Sequence, residues 1–314
     1  MYKELLEEIR KAENICIFRH LRPDDDAVFS AFALKEFIKF NFKDKKVRCL
    51  GSEELDILPV TEKASDQFIR KSLAIILDCS VEERTDDTRF HLAKKIILID
   101  HHPLKGPIPY GDIQIRDTEV AATCELLAKI FYSRAFLEYK MSPKCMEYLY
   151  CGILTDSNSF KTASTTDRTL YYASKLVKDG KLNSSDLNDY VFSKSVAYFN
   201  GISRIRNLLK IENGVGYVIL NQKLLDKIGV SYNEAKNSID EFGCINSLDK
   251  WAVFVYNRKT GHYDGSIRSR REFTINTLCY RYNGGGHKNA CGVKMLTLRK
   301  VKEFIEELGK IEAC

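Results

Sequence analysis

The feature that most constrains this chain is Ile96-Ile97-Leu98-Ile99, followed at once by Asp100-His101-His102. An aliphatic run without polar alternation reads as a strand buried on both faces, as in a parallel sheet. Open α/β sheets bind ligands outside the carboxyl ends of their strands. An acid and two imidazoles placed there are therefore candidate site residues. The tripeptide by itself is equally compatible with a strand that runs into a polar surface loop.

Two earlier segments repeat the pattern. Asn14 to Phe18 reads as a short strand and leads into Arg19-His20-Leu21-Arg22-Pro23-Asp24-Asp25-Asp26-Ala27. Helical spacing of apolar residues then runs from Ala27 to Phe40, so His20, Asp24 and Asp26 sit in a strand-to-helix turn. Pro23 suits that turn, since it fixes its own φ and biases Arg22 away from the α region. Leu73 to Leu77 is a third strand and ends in Asp78-Cys79-Ser80. Strands alternating with helices predict a doubly wound, mainly parallel sheet of the α/β class. Lys3 to Ala12 and Thr118 to Ile130 read as helices. Ser142-Pro143 reads as an N-cap with proline at the first helical position, opening a helix that delivers Asp156 at its end. Another helix spans about Thr166 to Lys178.

The 314 residues suggest two domains. The pattern changes after the last of these helices, and the expected division is a catalytic domain at 1–185, a linker helix at 186–210 and a smaller α/β domain at 211–314. In the latter, Glu212-Asn213-Gly214-Val215-Gly216 reads as a hairpin. Trp251 to Tyr256 and Tyr263 to Ile267 read as strands joined at Lys259-Thr260-Gly261. A helix over about Glu272 to Tyr282 ends in Asn283-Gly284-Gly285-Gly286-His287, and a strand follows to Met295. No apolar run is long enough to span a bilayer, and the N-terminus is amphipathic and acidic, unlike a secretory signal. The ten cysteines include no C-x-x-C pair, which argues for reduced thiols rather than a thiolate zinc site. The expectation is a cytoplasmic protein with no membrane partner. A net charge of +6 suits an anionic substrate but is too small to imply nucleic-acid binding by itself.

His20, Asp24, Asp26, Asp78, Asp100, His101, His102 and Asp156 make a constellation whose chemistry is specific. Carboxylates gathered at one sheet end repel each other, and some must protonate unless a cation joins them. Mixed oxygen and imidazole donors suit Mn²⁺; Mg²⁺ prefers oxygen and water and is the weaker choice. With this many ligands two ions fit better than one, and such a pair serves phosphoryl displacement. Asp78, in the middle, is the candidate bridge. Each cluster alone has a plainer reading: Asp24 to Asp26 as a solvated helix N-terminus, Asp78 and Asp156 as ordinary loop acids. In the second domain the three glycines expose backbone N–H groups suited to an anion. Arg268, Arg270 and Arg271 bring guanidinium groups that hold phosphate. The alternatives there are a helix C-cap and a solvated basic turn.

His20-x-x-Pro23-Asp24-x-Asp26-Ala27, then Asp78, Asp100-His101-His102 and Asp156, resembles the DHH phosphoesterase superfamily in all four of its motifs. Gly284-Gly285-Gly286-His287, with Ala290 and Gly292, resembles the associated DHHA1 domain. The two-domain length resembles the oligoribonuclease and pAp phosphatase branch, the NrnA-like proteins. The resemblance implies that His20, Asp24 and Asp78 hold one metal ion and Asp26, Asp78, His101 and Asp156 a second. Asp100 orients the neighbouring histidines and His102 faces the scissile phosphate. Arg268, Gly285, Gly286 and His287 grip the terminal phosphate and base of a short oligonucleotide or dinucleotide in a cleft between the domains, and the protein is a homodimer. The implied activity is Mn²⁺-dependent hydrolysis of very short oligonucleotides, with pAp dephosphorylation. A cyclic-dinucleotide phosphodiesterase is the alternative enzyme, and a nucleotide-sensing module the alternative outside enzymes. One departure stands out: Phe29 occupies a position where the family usually has glycine, and its bulk is expected to shift the following helix or narrow the pocket.

Overall fold

The computed structural model describes residues 1–51, 62–103, 110–270 and 272–313, and the expected role of Arg271 lies outside them. The chain divides into two compact units, Met1–Ser193 and Lys194–Cys314. The first runs α1 (Tyr2–Lys11), β1 (Asn14–Phe18), α2 (Asp25–Asn41), β2 (Lys46–Cys49), α3 (Asp66–Arg70), β3 (Ser72–Leu77), β4 (Lys95–Asp100) and β5 (Ile113–Arg116). Then come α4 (Thr123–Phe131), α5 (Pro143–Asp156), α6 (Asp167–Gly180) and α7 (Ser184–Phe192).

Its five strands lie in the order β2-β1-β3-β4-β5 and are all parallel. Both faces are apolar, which is why the strands show no alternation. Ile15, Ile17, Ile75, Leu77, Ile97 and Ile99 face the main core, while Cys16, Phe18, Ala74, Ile76 and Leu98 face a smaller one on the opposite side. Parallel strands end at the same edge, so β1, β3 and β4 bring their polar termini together as the sequence implies. The edge strands β2 and β5 escape sequence reading because each has only alternate residues buried and so lacks the aliphatic run.

Local chemistry sets the helix limits. Ser142 Oγ accepts the Cys145 N–H at 3.1 Å, with Pro143 opening α5. Helix α4 starts at Thr123 rather than at Thr118, because the N–H groups of Thr123 and Cys124 are taken by Asp26. Phe29, buried in the main core, faces Tyr148 of α5 with ring centroids 6.2 Å apart; its bulk goes to helix packing.

The second unit runs α8 (Val196–Arg206), β6 (Lys210–Glu212), β7 (Val215–Leu220), α9 (Gln222–Ile228), α10 (Tyr232–Asn237), β8 (Lys250–Asn257) and β9 (His262–Ser269). It closes with α11 (Asn276–Arg281), β10 (Gly285–His287), β11 (Ala290–Met295) and α12 (Leu298–Gly309). The expected 186–210 segment thus carries most of α7 and all of α8, one in each unit. The sheet order is β10-β11-β9-β8-β7-β6, antiparallel except between β7 and β8. The hairpin at Asn213-Gly214 and the β8–β9 turn fall where the sequence puts them. Helix α11 is shorter than expected: Ile275 N–H bonds to Lys288 O at 3.0 Å, and Asn289 Nδ2 holds the carbonyls of Arg270 and Phe273. Those bonds keep residues 272–275 out of the helix.

In the first unit Phe37 stacks on Phe131 with centroids 3.9 Å apart, and Phe136 closes the cluster. Truncating such a side chain costs about 3–5 kcal/mol. The chain's one tryptophan, Trp251, lies in the second unit. Phe37→Ala is expected to lower the urea midpoint followed by far-UV circular dichroism and to leave the Trp251 fluorescence midpoint in place. Equal shifts in both signals would mean that the units unfold together.

Candidate metal centre

Turn residues after β1, β3 and β4 and the last turn of α5 converge on one point. Asp78 follows β3 with its amide bonded to Ile99 O at 3.0 Å and a φ of 58°. This left-handed conformation is costly for a residue with a side chain, though acids tolerate it better than most. It turns the Asp78 carboxylate between two sets of groups. Its Oδ2 lies 3.5 Å from His20 Nε2, which is 3.6 Å from Asp24 Oδ2. Its Oδ1 lies 3.4 Å from His101 Nε2, which is 3.5 Å from Asp156 Oδ2. Potential ligand atoms from His20, Asp24 and Asp78 cluster within 4.8 Å of one another; so do those from Asp26, His101 and Asp156, and those from Asp78, His101 and His102.

These separations fit ion coordination better than direct hydrogen bonding. Two ligands each about 2.1 Å from a metal at roughly right angles are about 3.0 Å apart, and somewhat more when the angle opens. The imidazole tautomers also fit. His20 Nδ1 lies 3.0 Å from Leu21 O, and His101 Nδ1 lies 3.4 Å from Val120 O. An Nδ1–H donated to a carbonyl leaves Nε2 as the ligand atom. The donor set can therefore hold a metal ion.

Asp24 is the N-cap of α2: its Oδ1 accepts the Ala27 N–H at 3.0 Å while Oδ2 faces His20. The cap uses Oδ1, which leaves Oδ2 facing the centre. Asp26, almost fully buried, accepts N–H groups at the start of α4, from Thr123 to Oδ2 at 2.7 Å and from Cys124 to Oδ1 at 3.0 Å. Asp100 accepts from Ser80 Oγ with one oxygen. Its other oxygen lies 2.8 Å from His102 Nδ1 and accepts the His102 N–H at 3.2 Å. Arg116 Nη2 donates to His102 O at 2.7 Å and secures the same turn. The Asp100 carboxylate thus positions His102, while the ring of His101 is set by Val120. His102 is the more accessible of the three histidines, with 34 % side-chain exposure against 6 % and 8 % for His20 and His101.

Several contributors have no motif to announce them. Thr123 Oγ1 donates to Asp78 Oδ1 at 2.8 Å. Gly152 lets α5 come close: a Cβ there would stand 2.2 Å from Cys124 Sγ and 2.8 Å from Asp26 Oδ1. Only the absence of a side chain at an inward helical position hints at Gly152. Thr123 looks in sequence like any buried first-turn threonine.

In the second unit Arg268, Gly285, Gly286 and His287 fall at one end of the sheet. His287 pairs with Ala290, and Ala290 with Arg268, in one row across three antiparallel strands. Such directly opposite residues share a face. The expected glycine loop is therefore the edge strand β10, with Asn283 at φ 55° ending α11 before it and Gly284 N–H bonded to Cys279 O at 2.8 Å. Gly286 has φ 137°, and a Cβ there would come within 2.3 Å of Ala290 O. Arg268 Nε lies 3.7 Å from Asp240 Oδ1.

A sheet of this topology carrying such a centre suits a phosphoesterase, and the matches to known proteins show that class. The DHH family N-terminal domain matches residues 14–153 and the DHHA1 domain residues 214–312. This chain belongs to the DHH phosphoesterase family and is a hydrolase. The probable bifunctional oligoribonuclease and PAP phosphatase NrnA of Streptococcus mutans is 32% identical, over 99% of this chain and 98% of that protein. The bifunctional oligoribonuclease and PAP phosphatase NrnA of Bacillus subtilis is 30% identical, over 98% and 97%. Among solved structures, an exopolyphosphatase-related protein from Bacteroides fragilis aligns with a TM-score of 0.85 at 20% identity, covering 98% of this chain and 95% of that one. No helix among the described residues is long and apolar enough to cross a membrane.

Without a metal the cluster must hold protons. Burial and the neighbouring Asp78 and Asp156 carboxylates push Asp26 well above the usual carboxylate range. Burial likewise raises Asp156, to about 7, against the opposing pull of His101. Burial disfavours charge on His20, but Asp24 and Asp78 outweigh it and raise its pKa to about 11. A histidine raised above its unfolded value stabilises the fold fully below that value, and the contribution is lost as pH climbs through the folded one. The metal-free fold is thus expected to lose stability between about pH 6.5 and 11, while metal affinity rises because ligands must be deprotonated. Calorimetric Mn²⁺ titrations in buffers of different ionisation enthalpy should show release of at least about one proton per chain. A buffer-independent heat would contradict the assigned protonation.

Proposed function

We propose that this chain is a Mn²⁺-dependent phosphodiesterase that hydrolyses very short oligonucleotides to nucleoside monophosphates and also removes the 3′-phosphate of pAp. The observation that carries the reading is the Asp78 carboxylate, with one oxygen toward His20 and Asp24 and the other toward His101. His20, Asp24 and Asp78 would hold one ion, and Asp26, Asp78, His101 and Asp156 the second. A pair of bound ions supplies an activated water and stabilises the attacking and leaving oxygens of an in-line displacement. The mixed imidazole and carboxylate donors favour Mn²⁺ over Mg²⁺.

The chain's own residues would orient the substrate. In the metal-free centre burial opposes charge on His102, yet Asp100 and Asp78 raise its pKa to about 9. Held through Nδ1 by Asp100, it would face the scissile phosphate. Arg268, Gly285, Gly286 and His287 of the second unit would grip a terminal phosphate and base. The substrate choice is supported by the two relatives named as bifunctional oligoribonuclease and PAP phosphatase, each aligned along nearly the whole chain.

The test is a product assay with purified protein and Mn²⁺. It compares a 5′-phosphorylated RNA dinucleotide, a long single strand, a cyclic dinucleotide and pAp, each with and without chelator. Chelator-sensitive turnover should be fastest on the linear dinucleotide; faster turnover of the cyclic or long substrate would overturn the substrate assignment. Asp78→Ala is expected to abolish turnover of all four while the far-UV circular dichroism spectrum stays unchanged. Full activity in that variant would remove Asp78 from the centre.

A further inference from the structure

We infer that Thr123 is the positioning residue that holds the Asp78 carboxylate across the two halves of the metal centre, and that it acts on the His101 half. The inference rests on the two-ion reading above. Thr123 is fully buried at the first position of α4. The preceding residue, Ala122, provides no side-chain cap. Asp26 does so from α2, taking the Thr123 and Cys124 amides with its two oxygens. The Thr123 hydroxyl is therefore not what caps the helix. It points instead at Asp78 Oδ1, 2.8 Å away.

The geometry at Asp78 gives that bond its consequence. The backbone fixes where the carboxylate starts, with φ at 58°, but the terminal torsion of an aspartate is broad and two-fold. The histidines beside it, at 3.4–3.5 Å, are too far away to fix that torsion with good hydrogen bonds. The Thr123 hydroxyl is close enough. It takes one lone pair of Oδ1 and leaves the other for an ion on the His101 side, while Oδ2 stays on the His20 side. The effect is asymmetric: the donor touches the oxygen that serves one half only. The α4 amides that grip Asp26 belong to the backbone and remain in both Thr123→Val and Thr123→Ser.

Thr123→Val keeps the shape and removes the donor; Thr123→Ser keeps the donor. Loss of a hydrogen bond that orients a ligand typically lowers metal affinity 10–100-fold. Calorimetric Mn²⁺ titration of the metal-free protein should resolve two binding events in the wild type. Thr123→Val should weaken one of them about tenfold, with Thr123→Ser close to wild type. To assign the half, the titration is repeated in an Asp24→Asn background, where only the His101 half keeps its full ligand set. There Thr123→Val should weaken the remaining event by the same factor. Electron paramagnetic resonance at two equivalents of Mn²⁺ gives a second readout: coupled ions in the wild type, and a larger uncoupled signal in Thr123→Val. In turnover, kcat should fall with KM little changed, since the hydroxyl does not face substrate. Unchanged titrations in Thr123→Val would overturn the assignment. So would equal weakening of both events together with a lowered melting temperature of the metal-free protein, which marks a structural role alone. A wild type that binds fewer than two ions would instead overturn the two-ion reading.

Discussion

Repulsion among carboxylates is the constraint on which the first unit depends. A parallel sheet ends its strands at one edge, and here those ends carry Asp24, Asp26, Asp78 and Asp100, with Asp156 arriving from α5. Buried charges of one sign must be neutralised by protons, cations or oriented dipoles. All three devices are visible. Asp26 and Asp156 are pushed toward their protonated forms. His20 and His102 interleave with the acids as cations when no metal is bound, and the carboxylates of Asp78 and Asp156 outweigh burial to raise the pKa of His101 as well. The amides that open α2 and α4 point at Asp24 and Asp26, where a helix N-terminus favours negative charge.

The precision of the centre is inherited from the apolar core beneath it. Helices α2, α4 and α5 pack through Phe29, Phe37, Phe131 and Tyr148, and that packing fixes the separation between the first turn of α2 and the last turn of α5. At Gly152 the three helices meet, and its missing side chain is what admits Asp26 and Cys124. Close-packed interiors transmit such shifts, so a core change near α5 reaches the Asp156 carboxylate without touching it. The same logic separates the two histidines after β4. His101 is buried and set by Val120, whereas His102 is half-buried and set by Asp100.

The second unit solves a different problem, the presentation of positive and N–H groups on a sheet. The row His287, Ala290 and Arg268 places two donors on one face with a small residue between them. Gly286 supplies a backbone conformation that residues with side chains rarely adopt. Asn289 ties the loop to Ser269, Arg270 and Phe273, so the ends of β9 and β11 are held together at the site of that row.

Much of this was legible in the sequence, for reasons that can be named. Strands buried on both faces appear as uninterrupted aliphatic runs, so β1, β3 and β4 announced themselves, and parallel pairing then required their polar ends to meet. Ser142-Pro143 announced α5 and with it the position of Asp156. Edge strands β2 and β5 did not show, because half their residues face outward. The start of α4 did not show either, since it depends on Asp26, nearly a hundred residues away in the chain. What the sequence determined by itself was which chemical groups stand at which strand ends. What only the tertiary structure decided was their orientation: the left-handed turn at Asp78, the hydroxyl of Thr123 against it and the space left by Gly152. Orientation arises from contacts between elements distant in the chain, and local pattern carries no record of them.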